Sequence, residues 1–125
     1  MDVIESRVDV NSPAFRENQE AMTALVEDLR AELERARNDR SDKARKRHAD
    51  LGKLPVEERL SLLLDRDSPF LEIAPLAARD MYDGRVHGAG SVAGIGKVCG
   101  REVFVTANDA RIKGGTIYPM GVKKT

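Results

Sequence analysis

The chain has 125 residues, enough for one small domain, and no apolar run approaches the roughly 20 residues of a membrane-spanning helix. Its 21 Lys and Arg residues balance 21 Asp and Glu residues, and this neutral formal charge argues against a general nucleic-acid binder, which needs a basic excess. The single cysteine, Cys99, excludes an internal disulfide, and the two widely separated histidines give no metal-ligand spacing, so no metal is expected.

The first 50 residues predict a helical arm. They contain no glycine, whereas all ten glycines follow them. Asn11-Ser12-Pro13 is typical of a helix start, with Ser12 as the cap and Pro13 in the first turn. Apolar residues then recur at steps of three and four and form one stripe: Phe15, Met22, Leu25, Val26, Leu29, Leu33 and Ala36.

Residues 37–50, RNDRSDKARKRHAD, alternate in charge and then become basic. The favoured interpretation is the solvated face of an extension of the same helix, which would then be continuous. The alternative is a nucleic-acid or targeting patch, but Asp39, Asp42 and Asp50 interrupt the basic run and no aromatic side chain is present for base stacking.

A second, short helix is predicted after Gly52 by the segment LPVEERLSLLLD. Pro55 suits its first turn, and its apolar face consists of Val56, Leu60, Leu63 and Leu64. Residues 70–73 (FLEI) then predict a short extended segment that packs inward.

Residues 79–90 predict a loop that contains His87. Asp80 and Asp83 are close to it in sequence, so a catalytic His–Asp pair is one interpretation, but a surface histidine is the favoured one. No Ser–His–Asp, Cys–His or paired-carboxylate arrangement is assembled convincingly from the other residues.

The stretch AGIGKVCG, residues 93–100, raises the question of a phosphate-binding loop. The phosphate-loop pattern requires glycine where Ser91 stands and a hydroxyl residue where Val98 stands, so the pattern fails at both ends. The stretch belongs instead to a predicted β-hairpin over residues 91–107.

The hairpin interpretation assigns a role to each small residue. Cys99 and Gly100 form the turn, so Cys99 is a turn residue and not a nucleophile. Gly94 and Gly96 permit a bulge or the close approach of another backbone. Residues 103–105 (VFV) predict a strand buried on both faces.

The polar loop after the hairpin leads to a helix that starts at Pro119. Lys113 supplies a charge, and Gly114 and Gly115 are expected to offer exposed backbone N–H groups, so the loop is suited to holding an anion such as phosphate. A purely structural loop would have much the same sequence, and both interpretations stay open.

The predicted elements form only a small core. A lone hairpin with one amphipathic helix would leave Phe104 and its neighbours half covered. We therefore expect these residues to be the front part of a longer protein.

Two segments resemble a known family. GKLPVEERLSLLLDRDSPFLEI resembles the opening of the carboxyltransferase subunits of biotin-dependent acyl-CoA carboxylases, with its Gly-Lys-Leu, Glu-Arg, Leu-Leu-Asp and Ser-Pro-Phe-x-Glu series. VTANDARIKGGTIYPMGVKK is similar to the family's next block, and its Lys-Gly-Gly-Thr and Tyr-Pro run favours the methylcrotonoyl-CoA or geranyl-CoA branch over the propionyl-CoA branch. The resemblance covers residues 45–125.

The resemblance implies an α/β crotonase-like fold of repeated β-β-α units, present here only in part. Residues 1–50 would be the helical arm, packed against neighbouring subunits of a homo-oligomer, and residues 51–125 the beginning of the N-terminal carboxyltransferase domain. The residues carried over as CoA-binding or near the site are Ala107, Asn108, Asp109, Lys113, Gly114 and Gly115. Asn108 and Asp109 are equally open to a structural role in fixing the loop.

The family transfers a carboxyl group from biotin, carried by a biotin carboxylase or biotin carrier partner, to a CoA thioester. The resemblance therefore implies action on a branched 2-enoyl-CoA such as 3-methylcrotonoyl-CoA, as in leucine degradation, in a bacterial cytoplasm. Because the Gly-rich segments and second crotonase-like domain that complete the family's site belong to later sequence, this part alone is expected to be inactive. The alternatives are a small CoA- or nucleotide-binding module and a helix-mediated assembly protein.

Overall fold

A computed structural model of the chain describes residues 3–124. The described chain divides into two compact units, one that ends at Glu32 and one that begins at Leu33. The first helix, α1, spans Pro13–Asn38, and the Ser12 hydroxyl accepts the Phe15 N–H at 3.2 Å, so the predicted cap is confirmed. None of the described helices is long and apolar enough to cross a membrane.

The expectation of one continuous helix through residue 50 is wrong. Helix α1 ends at Asn38, and a separate helix, α2, spans Asp42–Asp50. Ser41 begins α2 because its hydroxyl accepts the Ala44 N–H at 3.3 Å, which is the ordinary action of serine at a helix N-cap. The Arg45 guanidinium donates to the Asn38 and Arg40 carbonyls and so satisfies backbone groups at the break.

The short helix and the hairpin form where the sequence predicts them. Helix α3 spans Val56–Leu63, and a three-stranded antiparallel sheet follows in the order β1 (Leu71–Glu72), β2 (Ser91–Val98) and β3 (Arg101–Asn108). Strand β3 forms one edge of this sheet.

The hairpin turn is held by a carboxylate from outside the hairpin. Cys99 and Gly100 both have positive φ, 50° and 76°, as a two-residue turn between twisted antiparallel strands requires. Asp65 accepts both of their backbone N–H groups at 2.7 Å. This contact fixes the far end of the hairpin to the segment that follows α3.

The inner face of the sheet explains the two strand glycines. The β2–β3 register runs without a bulge from Ser91↔Asn108 to Val98↔Arg101. A Cβ on Gly94 would lie 2.5 Å from the Leu71 carbonyl oxygen and 2.5 Å from the Phe70 ring. The predicted close approach of another backbone is therefore confirmed at Gly94. At Gly96 the nearest atoms to such a Cβ belong to side chains, Leu64 at 2.6 Å and Phe70 at 3.1 Å.

The apolar core lies between this inner face and α3. Val56 and Leu60 of α3 and Ala107 of β3 are buried together. The side chains packed around them are Leu64, Phe70, Val92 and Val105.

The outer face of the sheet carries an apolar row. Leu71, Ile95 and Phe104 are cross-strand partners on three adjacent strands and are 65%, 40% and 53% exposed. The expectation that residues 103–105 are buried on both faces is therefore wrong, because only one face of β3 packs on α3 in the described chain. The half-covered Phe104 agrees with the small core expected from the sequence.

The rest of the chain forms turns and a short helix. Turns at Tyr82–Gly84, His87–Gly90 and Lys113–Gly115 precede or follow the hairpin, and helix α4 spans Pro119–Lys124. Lys124 Nζ donates to the Gly88 and Ser91 carbonyls at 2.9 and 2.6 Å, which joins α4 to the start of β2.

Candidate anion site

A cleft of about 720 Å³ lies within the unit formed by residues 33–125. One wall is the α1–α2 connection with α2, the second is the turn around His87, and the third is the loop after β3. Seven Lys and Arg side chains line it, and Asp39 is the one carboxylate in its lining. The cations are Arg40, Lys43, Arg47, Lys53, Arg85, Arg111 and Lys113.

Helix α2 contributes one basic face to this cleft. Lys43 and Arg47 are four residues apart, as are Ala44 and the buried His48, and all four line the cleft. Residues at this spacing lie on the same side of a helix. Lys43, Lys46 and Arg47 are all exposed, as the solvated-face interpretation predicts, and Lys43 and Arg47 in addition line the cleft.

Two of the cations are committed to a buried carboxylate. Asp109 is 2% exposed, and Arg40 Nε donates to its Oδ2 at 2.9 Å. Arg111 donates to Asp109 Oδ1 from its backbone N–H and Nε, at 3.0 and 2.8 Å, and to Oδ2 from Nη2 at 2.8 Å. Arg111 also pairs with Glu57 of α3 at 2.6 Å.

These contacts set the ionisation of the network. Burial alone would raise the pKa of Asp109, but the hydrogen bonds from Arg111 and Arg40 outweigh burial and hold that pKa below its ordinary value. The hydrogen bond to Asp109 raises the pKa of Arg111, against the opposing effect of burial. Asp109 and Arg111 therefore stay charged at physiological pH.

The other five cations of the cleft have no such partner. Within residues 3–124, no carboxylate lies within ion-pairing distance of Lys43, Arg47, Lys53, Arg85 or Lys113. Their charges are free to act on a ligand, and several cations converging on one concavity favour a ligand with several negative charges.

His87 pairs across the cleft. Its Nε2 lies 3.1 Å from Asp39 Oδ2, so its partner is in the α1–α2 connection and is neither Asp80 nor Asp83. The predicted surface histidine is only partly correct, because the side chain is largely buried at 17% exposure. This contact joins the turn around His87 to the α2 wall.

The predicted anion loop reaches the cleft with two of its three residues. Lys113 and Gly114 line the cleft, and Gly114 has φ 72° with no atom within 4 Å of a Cβ built on it. Gly115 differs from the expectation, because its N–H donates to the Ile112 carbonyl at 2.9 Å and is not offered to a ligand.

The remaining predicted positions lie away from the cleft lining. Ala107 is part of the apolar core with Val56 and Leu60. Asn108 is exposed, and its carbonyl accepts from Arg59 at 3.1 Å. Asp109 is buried beneath the cleft in its ion-pair network, which is the structural one of the two roles open to it.

The donor set of the cleft suits phosphate groups better than a metal. Within residues 3–124 no group of three or more His, Cys, Asp or Glu side chains is placed to hold a metal ion. Lysine and arginine side chains are hydrogen-bond donors that recognise phosphate oxygens.

Comparison with known proteins places the chain in a family. Residues 47–125 match the carboxyl transferase domain, and the chain belongs to that family. It is 46% identical over 98% of its length to a probable mitochondrial methylcrotonoyl-CoA carboxylase beta chain of Drosophila melanogaster. It is 53% identical over 80% of its length to the biotin-dependent 3-methylcrotonyl-coenzyme A carboxylase beta1 subunit of Mycobacterium tuberculosis. The chain spans about a fifth of each relative, 21% and 19%.

Solved structures agree with the crotonase-like fold expected from the sequence. The beta subunit of geranyl-CoA carboxylase from P. aeruginosa superposes with a TM-score of 0.84 at 43% identity, covering 98% of this chain and 23% of that one. Transcarboxylase 12S, in a hexamer structure with methylmalonyl-coenzyme A bound, gives a TM-score of 0.71 at 27% identity, covering 82% of this chain and 21% of that one. The predicted family, including its methylcrotonoyl-CoA and geranyl-CoA branch, is confirmed.

Proposed function

We propose that this chain is the N-terminal part of a carboxyltransferase subunit that acts on a branched 2-enoyl-CoA such as 3-methylcrotonoyl-CoA. The carboxyl group comes from biotin carried by a biotin carboxylase or biotin carrier partner, and the acceptor is a carbon activated by the thioester. The observation that carries this proposal is the match of residues 47–125 to the carboxyl transferase domain.

The part played by these residues is to hold the phosphates of CoA. Five uncommitted cations surround the cleft, and Lys113 and Gly114 of the sequence-predicted loop stand at its edge. The adenosine end of CoA carries a pyrophosphate and a 3′-phosphate, which together match a concavity lined by several cations. Ala107, Asn108, Asp109 and Gly115 would then support the site from beneath or beside it.

Calorimetric titration of the full-length subunit with CoA and with 3′-dephospho-CoA tests this arrangement. Lys113→Ala and Arg47→Ala are each expected to weaken CoA binding by a factor of about 10 to 150, because a charged hydrogen bond contributes about 1.5–3 kcal/mol. Lys46→Ala is the matched control, since Lys46 is on α2 but outside the cleft lining. Equal affinities for all three variants and the unchanged subunit would remove the cleft from CoA binding.

Activity is tested in the subunit together with its biotin-bearing partner. Incorporation of labelled bicarbonate into 3-methylcrotonoyl-CoA is expected to exceed incorporation into geranyl-CoA or propionyl-CoA, and residues 1–125 alone are expected to be inactive. A preference for geranyl-CoA would instead make geranyl-CoA the substrate within the same branch of the family. The protein would then not act in leucine degradation.

The helical arm supports assembly of the subunit into a homo-oligomer. Helix α1 contains no buried residue, and Met22, Leu25 and Leu29 of its apolar stripe are exposed. An exposed apolar stripe of this kind favours contact with another chain. In this proposal residues 1–50 form the arm, and residues 51–125 form the start of the N-terminal carboxyltransferase domain. The proposed location is the bacterial cytoplasm.

A further inference from the structure

One buried carboxylate joins two of the walls of the cleft. Asp109 binds Arg40, which belongs to the α1–α2 connection, and Arg111, which belongs to the loop after β3. These two segments belong to different walls of the cleft, and both arginine side chains are almost fully buried. Asp109 thus connects the wall formed by α2 to the wall that contains Lys113.

We propose that Asp109 is a positioning residue that sets the spacing between the α2 wall and the Lys113 loop, and thereby the selectivity of the cleft for a ligand with several phosphates. This inference rests on the proposed function for the identity of the ligand. Asp109 acts through its neighbours, because it is 2% exposed and stands outside the cleft lining.

The geometry of the loop shows how the effect is transmitted. Asp109 Oδ1 accepts both the backbone N–H and the Nε of Arg111, so the carboxylate fixes the direction of the chain at that residue. The next turn is closed by the Ile112 N–H to the Asp109 carbonyl at 3.0 Å. Lys113 follows immediately with φ 46°, a conformation that a lysine holds only where its neighbours impose it.

Replacing the carboxylate separates positioning from simple charge. Asp109→Asn removes a negative charge beneath the cleft, so an electrostatic effect alone would tighten the binding of anions. Loss of positioning would instead weaken the binding of anions, because two buried guanidinium groups lose their compensating charge and the walls separate. We expect CoA binding to weaken roughly 10-fold and its preference over 3′-dephospho-CoA to shrink by a similar factor.

Two further variants complete the comparison. Arg40→Lys keeps the positive charge but loses the fixed geometry of Nε on Asp109, so it is expected to lower selectivity in the same direction. Glu57→Gln is the control, because it removes a negative charge from the exposed end of the same network, where Glu57 contacts the Arg111 guanidinium and not the Asp109 carboxylate. Its CoA affinity and selectivity are expected to stay within about 2-fold of the unchanged subunit.

Hydrogen exchange of the full-length subunit, measured without ligand, tests the positioning role independently of CoA. Asp109→Asn and Arg40→Lys are expected to speed exchange at both walls together, in peptides covering residues 40–48 and residues 110–116, whereas Glu57→Gln does not. Unchanged exchange at either wall in both variants would overturn the proposal. If exchange changes as expected but the unchanged subunit does not bind CoA, the positioning role is supported and the proposed ligand is refuted.

Discussion

Gly94→Ala offers a direct test of how β1 packs against the hairpin. The added Cβ would lie 2.5 Å from the Leu71 carbonyl oxygen, whereas a relaxed carbon–oxygen contact is about 3.3 Å. The strand β1 would therefore have to move by roughly 0.8 Å. The same Cβ would also lie 2.5 Å from Phe70 Cζ, so the ring cannot yield without disturbing the core.

The expected cost follows from these contacts. Overpacking costs about 1–3 kcal/mol, and moving β1 weakens its ladder, including the hydrogen bond from Ile73 N–H to the Ala93 carbonyl at 2.8 Å, which adds about 1 kcal/mol. A local destabilisation of about 3 kcal/mol corresponds to exchange roughly 150-fold faster at the amides that pair β1 with β2.

Hydrogen exchange of the full-length subunit measures this effect at residues 71–73 and 93–95. Gly100→Ala is the matched control, because its Cβ meets no atom within 4 Å and its cost comes only from φ 76°, about 1 kcal/mol and confined to the turn. If Gly94→Ala left exchange in β1 as slow as Gly100→Ala does, the close approach would not constrain this position.

Three other predictions concern the turn, the start of α2 and the buried carboxylate. Asp65→Asn is expected to destabilise the hairpin turn by about 1–2 kcal/mol, seen as faster exchange at Cys99 and Gly100, whereas Asp67→Asn, at a neighbouring position without such contacts, changes neither amide. Ser41→Ala is expected to speed hydrogen exchange in α2 about 5-fold, because the helix loses its N-cap. Ser61→Ala, on the exposed side of α3, is the control. Equal effects of the two variants on exchange in α2 would contradict the capping role. Asp109, whose pKa is lowered in the folded chain, contributes stability that is present above its ordinary pKa of about 4 and is lost as the pH falls through the lower folded value. Thermal unfolding of the subunit should therefore lose more stability on acidification than that of Asp109→Asn, and parallel pH curves would refute this.

Local sequence signals were sufficient for the boundaries of most elements. Ser12 before Pro13, Gly100 at the turn and Pro119 each act on backbone geometry within a few residues, so their effects are visible without tertiary contacts. The break at residues 39–41 is different. Ser41 caps α2 locally, but Arg40 in the same break binds Asp109, which is 69 residues away, and helical propensity carries no information about that contact.

The sequence predicted only one wall of the candidate site, the loop after β3. Lys113 and Gly114 could be identified because a lysine beside glycines is a local pattern. The wall supplied by α2 was missed because a basic run interrupted by acids has the same composition on a solvated face and in a cleft. The four-residue spacing of Lys43 and Arg47 places them on one side of α2, but nothing in the sequence says which side meets the rest of the chain. The His87–Asp39 pair joins distant segments, so no sequence window contains both.

The eight-residue strand β3 has a further consequence for handling this chain by itself. Within residues 3–124 no strand pairs with the free edge of β3, so a row of backbone donors and acceptors lies beside the apolar Phe104. Such a border is a template onto which the strand of another molecule can add. Arg101 and Glu102 oppose that addition at one end, and Arg59 donates to the Asn108 carbonyl at the other. Preparations of residues 1–125 alone are therefore prone to self-association.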